Sequence, residues 1–108
     1  MHVPVHMLAF NEKGTVRNVF IADEYTQGAS KDNILALTFQ YGQNDFQPKP
    51  VSSVSVGDVI ELDDEYWLVA PIGFKQITKE QFDEIPGNLT QHHDLYWSLC
   101  YGKGNKDV

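Results

Sequence analysis

The chain of 108 residues has a single cysteine, Cys100, so it contains no internal disulfide framework. No apolar run approaches the roughly 20 residues that a membrane-spanning helix needs. The first six residues show no basic start followed by an apolar stretch, which disfavours a secretory signal. These absences predict a cytoplasmic protein without membrane association.

Positive charge is scarce, with eight Lys and Arg against 15 Asp and Glu, for a formal net charge of −7. The basic residues are scattered, whereas proteins that bind a phosphate backbone concentrate positive charge on one surface. We therefore expect no direct nucleic-acid binding. The simplest interpretation of the acidity is that it keeps the protein soluble.

Motifs that carry chemistry are also missing. There is no G-x-S-x-G elbow and no Gly-rich phosphate loop. His92, His93 and Asp94 are metal-ligand types, but neighbouring histidines on a strand point to opposite faces. Cys100 lies in an apolar pattern, which favours a buried inert thiol over a nucleophile. We predict no catalytic residue, no metal site and no cofactor.

With 42% hydrophobic residues, the chain has the composition of a globular domain. The length fits one domain, which we place at residues 1–102, with a frayed C-terminal tail at residues 103–108.

Apolar alternation predicts strands at residues 3–10 and 16–22, joined by a turn at residues 11–14. A helix is predicted over residues 32–41, with Ser30 or Asp32 as its N-cap and Gly42 as a left-handed end. Asn44, Pro48 and Pro50 predict an irregular segment after it.

The second half predicts a hairpin, with a strand at residues 59–62, a polar turn at residues 63–65 and a return strand at residues 66–72. Thr78 and Gln81 form a capping box that opens a short helix. Alternation over residues 95–101 predicts a last strand. The order β-β-α-β-β-α-β indicates an α+β fold, either a small, mostly antiparallel sheet or a partly open barrel.

Aromatic residues are numerous for so small a core, so some are expected on the surface, where Tyr and Trp favour protein interfaces. The candidates for such a surface are Tyr25, Tyr66, Trp67, Tyr96 and Trp97. They predict a protein partner of unknown identity.

The sequence Ser-Val-Ser-Val-Gly-Asp-Val-Ile-Glu-Leu at residues 53–62 precedes an aromatic return strand and a Gly73-Phe74 ending. This run resembles the YodL-like small domains of phages and mobile elements, over about residues 16–77. The resemblance implies a mobile-element context and, for a phage-encoded protein, a location in the host cytoplasm. The family has no established activity, so the resemblance gives no catalytic residues to carry over. Gly57 and Asp58 are interpreted as fold-defining, because glycine turns the chain and aspartate bonds nearby backbone N–H groups. Gly73 and Phe74 receive the same interpretation.

The leading hypothesis is a non-catalytic protein-interaction domain, an accessory protein of a phage or mobile element. A second hypothesis is a small enzyme or ligand-binding barrel, with polar groups such as Asp58, Tyr66, His92 or His93 in a pocket. A third is an acidic inhibitor that mimics nucleic acid, and a fourth is a structural assembly component.

Overall fold

The computed structural model describes residues 1–43 and 53–101. Its strands are β1 (His2–His6), β2 (Val16–Phe20), β3 (Val59–Leu62), β4 (Glu65–Val69) and β5 (Phe74–Ile77). Its helices are α1 (Asp23–Thr26), α2 (Lys31–Tyr41), α3 (Lys79–Asp83) and α4 (His93–Tyr101), with a 3₁₀ turn at Leu89–Gln91. The irregular segment predicted around Asn44, Pro48 and Pro50, and the predicted tail at residues 103–108, lie outside the described residues.

The five strands form one antiparallel sheet in the order β2-β1-β3-β4-β5. The predicted α+β class is confirmed in its antiparallel-sheet form, and the strands within the described residues do not close into a barrel. Strand β1 pairs with β3 at Val5 and His6. Pro4, the residue before them, has no N–H group to continue that ladder.

Both faces of the sheet carry a core, because alternate residues of each strand point to opposite sides. On β4, Trp67 and Val69 join the core under α2, whereas Tyr66 and Leu68 join the core under α3 and α4. The result is three layers, with α2 on one face of the sheet and α3 and α4 on the other. This explains why the sequence shows apolar residues on both faces of its strands.

Helix α2 begins at the predicted cap, since the Ser30 hydroxyl accepts a hydrogen bond from the Asn33 N–H at 3.2 Å. The prediction for its other end is wrong, because Gly42 has a φ of −79° and is right-handed. Glycine is needed there for space, as a Cβ atom would clash with Cγ2 of Val54.

The predicted last strand is also wrong, because residues 93–101 form helix α4. The side chains that face the core are Leu95, Tyr96, Leu99 and Cys100, a spacing of one, three and one that fits 3.6 residues per turn. The alternation of Leu and Trp with Tyr and Ser imitated a strand, but burial follows the helical period.

The predicted capping box is confirmed. Thr78 and Gln81 form the capping box that opens α3, with both reciprocal hydrogen bonds present. After the second hairpin, β5 adds a further strand at the edge of the sheet, antiparallel to β4. No helix within residues 1–43 and 53–101 is long and apolar enough to cross a membrane.

Candidate functional site: the exposed face of α4

The five aromatic residues predicted for an interaction surface do not share one surface. Tyr25 on α1 is 51% exposed and Trp97 on α4 is 49% exposed. The other three are half-buried, with Trp67 packed in the core under α2 and Tyr66 and Tyr96 in the core under α3 and α4. Trp97 therefore becomes the centre of the site, and Tyr25 lies elsewhere, stacked on Tyr41 of α2 at a centroid distance of 6.1 Å.

Tyr66 belongs to an internal aromatic cluster. Its ring stacks on Phe82 at 4.2 Å between centroids, and His6 meets the same Phe82 edge-on at 4.7 Å. Nε2 of His6 lies 2.9 Å from the Glu61 carboxylate. These contacts hold α3 on the sheet, so Tyr66 and His6 serve packing.

The outer face of α4 carries His93, Trp97 and Tyr101, which are four residues apart and so share one side of the helix. Tyr101 is 62% exposed, and its ring stacks on Trp97 with 4.9 Å between centroids and 23° between planes. Asp94 and Ser98 border this aromatic pair. We call the set of Asp94, Trp97, Ser98 and Tyr101 the α4 ridge.

Beside the α4 ridge lies an open, largely apolar cavity of about 270 Å³. It sits between α4, the 3₁₀ turn and the loop before β3, and its lining residues are Val56, Gly57, Leu89, Thr90, His93, Tyr96 and Trp97. Val56 is exposed at its rim, and Trp97 belongs both to the cavity and to the ridge. The two features therefore form one continuous surface.

Gly57 and Asp58 fix the loop that carries Val56. Gly57 has a φ of +103°, and a Cβ atom there would lie 3.1 Å from Cβ of Ala9. The two carboxylate oxygens of Asp58 accept hydrogen bonds from the N–H groups of Ala9 and Ser55, each at 2.8 Å. The predicted role of Asp58 in binding backbone N–H groups is thus confirmed, and these bonds join the loop before β3 to the segment after β1.

Gly73 and Phe74, the other two residues interpreted as fold-defining, lie at the β4–β5 turn. Gly73 has a φ of +77°, and its carbonyl accepts a hydrogen bond from the Ala70 N–H at 3.0 Å. Phe74 begins β5 and packs against the core under α2.

Tyr96, which lines the cavity, and Cys100, in the core under α3 and α4, are both held in their neutral forms. Burial raises the pKa of the Tyr96 phenol far above its ordinary value, and burial also raises the pKa of the Cys100 thiol. The Tyr96 hydroxyl donates to the Val69 carbonyl at 3.3 Å, and Nε2 of His93 lies 2.8 Å from the Thr90 carbonyl. Tyr96 and Cys100 therefore stay neutral near pH 7, which disfavours either as a base or nucleophile.

Asp58, a candidate pocket residue by sequence, faces the protein interior. Burial raises its pKa to about 6, although the hydrogen bonds from Ala9 and Ser55 act in the opposite direction. The carboxylate is 1% exposed and is not among the residues that line the cavity. Its hydrogen bonds hold in place the loop that lines the cavity at Val56 and Gly57.

The four histidines of the chain are dispersed. His92 and His93 are exposed at the start of α4, whereas His6 pairs with Glu61 and His2 packs against Phe20 at 5.1 Å. Within the described ranges, no group of three His, Cys, Asp or Glu side chains could hold a metal ion.

No protein-family model, curated protein or solved structure matches the chain. The site residues that sequence reasoning missed are Val56, Leu89, Thr90, Ser98 and Tyr101. The signal for Ser98 and Tyr101 was their position four residues after Asp94 and Trp97, which only a helical interpretation reveals. The other three come from the loop before β3 and the 3₁₀ turn, which the fold alone brings together.

Proposed function

We propose that this protein is a non-catalytic interaction domain whose α4 ridge and adjoining cavity bind a segment of a partner protein. The observation that carries the proposal is the stacked, half-exposed pair of Trp97 and Tyr101 at the rim of an open apolar cavity. Exposed Trp and Tyr beside a pocket are the composition of binding hot spots.

The chemistry of the surface suggests the kind of segment that binds. The cavity of about 270 Å³ fits one apolar side chain, and the rings of Trp97 and Tyr101 offer faces that attract cations. Asp94 borders the same rings, and the chain carries a net charge of −7. The partner segment we propose therefore has an apolar anchor next to Arg or Lys.

Pairing or burial of several of the 15 acidic residues makes mimicry of nucleic acid a weaker explanation. Glu61 pairs with His6, Glu65 with Lys31 at 2.6 Å, and Asp83 with Lys79 at 2.9 Å. Asp58 is buried. Carboxylates held by internal partners are poorly suited to imitate a row of free phosphates.

The biological setting we propose is that of an accessory protein of a phage or mobile element. Its support is the resemblance of about residues 16–77 to the YodL-like small domains, carried by the Gly57-Asp58 turn and the Gly73-Phe74 ending.

The test is a pull-down from lysate of the native host with the tagged chain, comparing Trp97→Ala with Tyr25→Ala. The two aromatics are almost equally exposed, so Tyr25→Ala is a matched control on another surface. We expect Trp97→Ala to lose at least 90% of a stoichiometric partner, because hot-spot truncation costs about 2 kcal/mol or more. Tyr25→Ala is expected to retain that partner.

A partner held equally by both variants would mean that the ridge is not the binding surface. Asp94→Lys tests whether the partner segment is basic. This change should weaken capture of a basic segment and make capture less sensitive to salt. An unchanged salt response in that variant would contradict the proposed basic character of the segment.

A further inference from the structure

The β2 strand forms one edge of the sheet, and the direction of its backbone groups follows from its pairing with β1. Met1 and Ile21 exchange both backbone hydrogen bonds, each at 2.8 Å, and the Met7 N–H bonds the Thr15 carbonyl at 2.8 Å. In an antiparallel pair such bonded positions alternate with non-bonded ones. The N–H and C=O groups of Val16, Asn18 and Phe20 therefore point away from β1.

This edge lacks the usual protection against pairing. Residues 16–20 contain no proline and no lysine, and their register with β1 runs without a bulge. Within the described residues no strand pairs with the outer side of β2. On the face away from α2, Phe20 is 59% exposed and Val16 is 47% exposed.

The same edge is complementary to itself. When a second copy pairs antiparallel with Asn18 opposite Asn18, Val16 of each copy lies opposite Phe20 of the other. In this register every outward N–H and C=O group of the three residues finds a partner. The Val–Phe pairs also bring a β-branched side chain against an aromatic ring, a favourable cross-strand pair.

Charge does not oppose pairing at this edge. In a chain of net charge −7, residues 13–22 contain no acidic residue. Arg17 turns toward α2, where its Nη1 donates to the Gly42 carbonyl at 2.6 Å. Two copies can therefore approach along β2 without opposing carboxylates.

We propose that two copies of this chain associate through their β2 edges, in an antiparallel register centred on Asn18. The two-fold axis is perpendicular to the sheet, so both α4 ridges lie on the same side of the dimer. The interface consists of one short strand and two exposed side chains per copy, below the roughly 800 Å² per partner of a standard interface. A weak, concentration-dependent dimer follows, because so small an interface offsets little of the freedom lost on association.

The test is sedimentation velocity from about 1 to about 500 µM, a range chosen to bracket that weak interface. We expect a shift from monomer to dimer with rising concentration. Asn18→Lys places two like charges opposite each other at the axis and should raise the dissociation constant at least tenfold. Gln76→Lys makes the same charge change on β5, the other edge strand, and should leave the dimer intact.

A wild-type chain that stays monomeric across the whole range overturns the proposal. Equal loss of the dimer in Gln76→Lys also overturns it, because association would then involve the β5 edge.

Register is tested by disulfide trapping. Antiparallel bonded pairs have Cα atoms about 5.5 Å apart, which suits a disulfide, so Asn18→Cys should cross-link rapidly with itself on oxidation. In this register, position 20 of one copy lies opposite position 16 of the other and far from position 20. Phe20→Cys should therefore cross-link with itself at least tenfold more slowly than Asn18→Cys. Each variant still contains the buried Cys100, so the wild-type chain measures the background of cross-linking through that thiol. Equal cross-linking of both variants would contradict the register centred on Asn18.

Discussion

At the scale of single residues, Asp58 connects two segments of the chain from a buried position. Its carboxylate bonds two N–H groups from separate segments while it is almost completely removed from water. Buried N–H groups that lose an acceptor keep their desolvation cost, so the position demands two acceptor atoms. Among side chains of this length, only Asp supplies them.

Asp58→Asn tests this demand with almost no change in volume. The amide keeps one acceptor oxygen but turns an NH₂ group toward the second N–H donor. We expect the free energy of unfolding at pH 7 to fall by about 1–3 kcal/mol, measured by urea denaturation. Ser98→Ala, on the α4 ridge, is a control expected to change it by less than about 0.5 kcal/mol. A loss below that control value for Asp58→Asn would contradict the two-acceptor role.

The raised pKa of Asp58 also predicts a dependence on pH. The folded-state pKa of about 6 exceeds the ordinary value of 3.8, so folding favours the protonated form. The resulting stabilisation is complete below pH 3.8 and is lost as the pH rises through 6. The stability of the wild-type chain relative to Asp58→Asn should therefore be greater at pH 4 than at pH 7.5, by up to roughly 3 kcal/mol.

The comparison with Asp58→Asn cancels the titration of the other carboxyl groups, which both proteins share. Urea denaturation of the pair at several pH values measures the difference directly. If the relative stability of the wild-type chain instead increased with pH, the hydrogen bonds from Ala9 and Ser55 would outweigh burial.

At the scale of elements, the β3–β4 hairpin shows a turn that is built from unfavourable residues. Strand β3 ends at Leu62 and β4 begins at Glu65, so Asp63 and Asp64 form the whole loop. Both have positive φ, 54° and 63°, as a type I′ turn requires. Asp tolerates this region better than most residues, but Asn-Gly is the preferred pair.

Asp63→Asn together with Asp64→Gly should stabilise the fold, because glycine removes the steric cost of a positive φ. We expect an increase of about 0.5–1 kcal/mol in the free energy of unfolding, read from the urea midpoint. Asp32→Gly is the contrasting change, since Asp32 lies in the first turn of α2, and it should cost about 1 kcal/mol. If the hairpin variant were less stable than the wild-type chain, contacts of the two carboxylates would stabilise the fold by more than the steric cost of the positive φ angles.

At the scale of the whole molecule, the sequence predicted the class of fold because local patterns and turn residues carry that information. The hairpins, α2 and the capping box of α3 each depend on neighbours within a few positions. Helix α4 was missed because Leu95, Trp97 and Leu99 imitate a strand, and only burial by the sheet reveals Leu95, Tyr96, Leu99 and Cys100 as the inner face. The cavity could not be predicted from the sequence for a related reason. Its lining residues Val56, Leu89 and Trp97 are brought together only by tertiary packing.

The two tryptophans lie in different layers of the molecule, and this separation provides two optical reporters. Trp67 packs against the core under α2, whereas Trp97 stands half-exposed on α4. A collisional quencher in water should therefore quench the emission of Trp97 more strongly than that of the half-buried Trp67, and the quenching of Trp67 should rise when the core opens. With Trp67→Phe or Trp97→Phe in place, emission from the remaining indole would distinguish events at the α4 ridge from unfolding of the opposite layer.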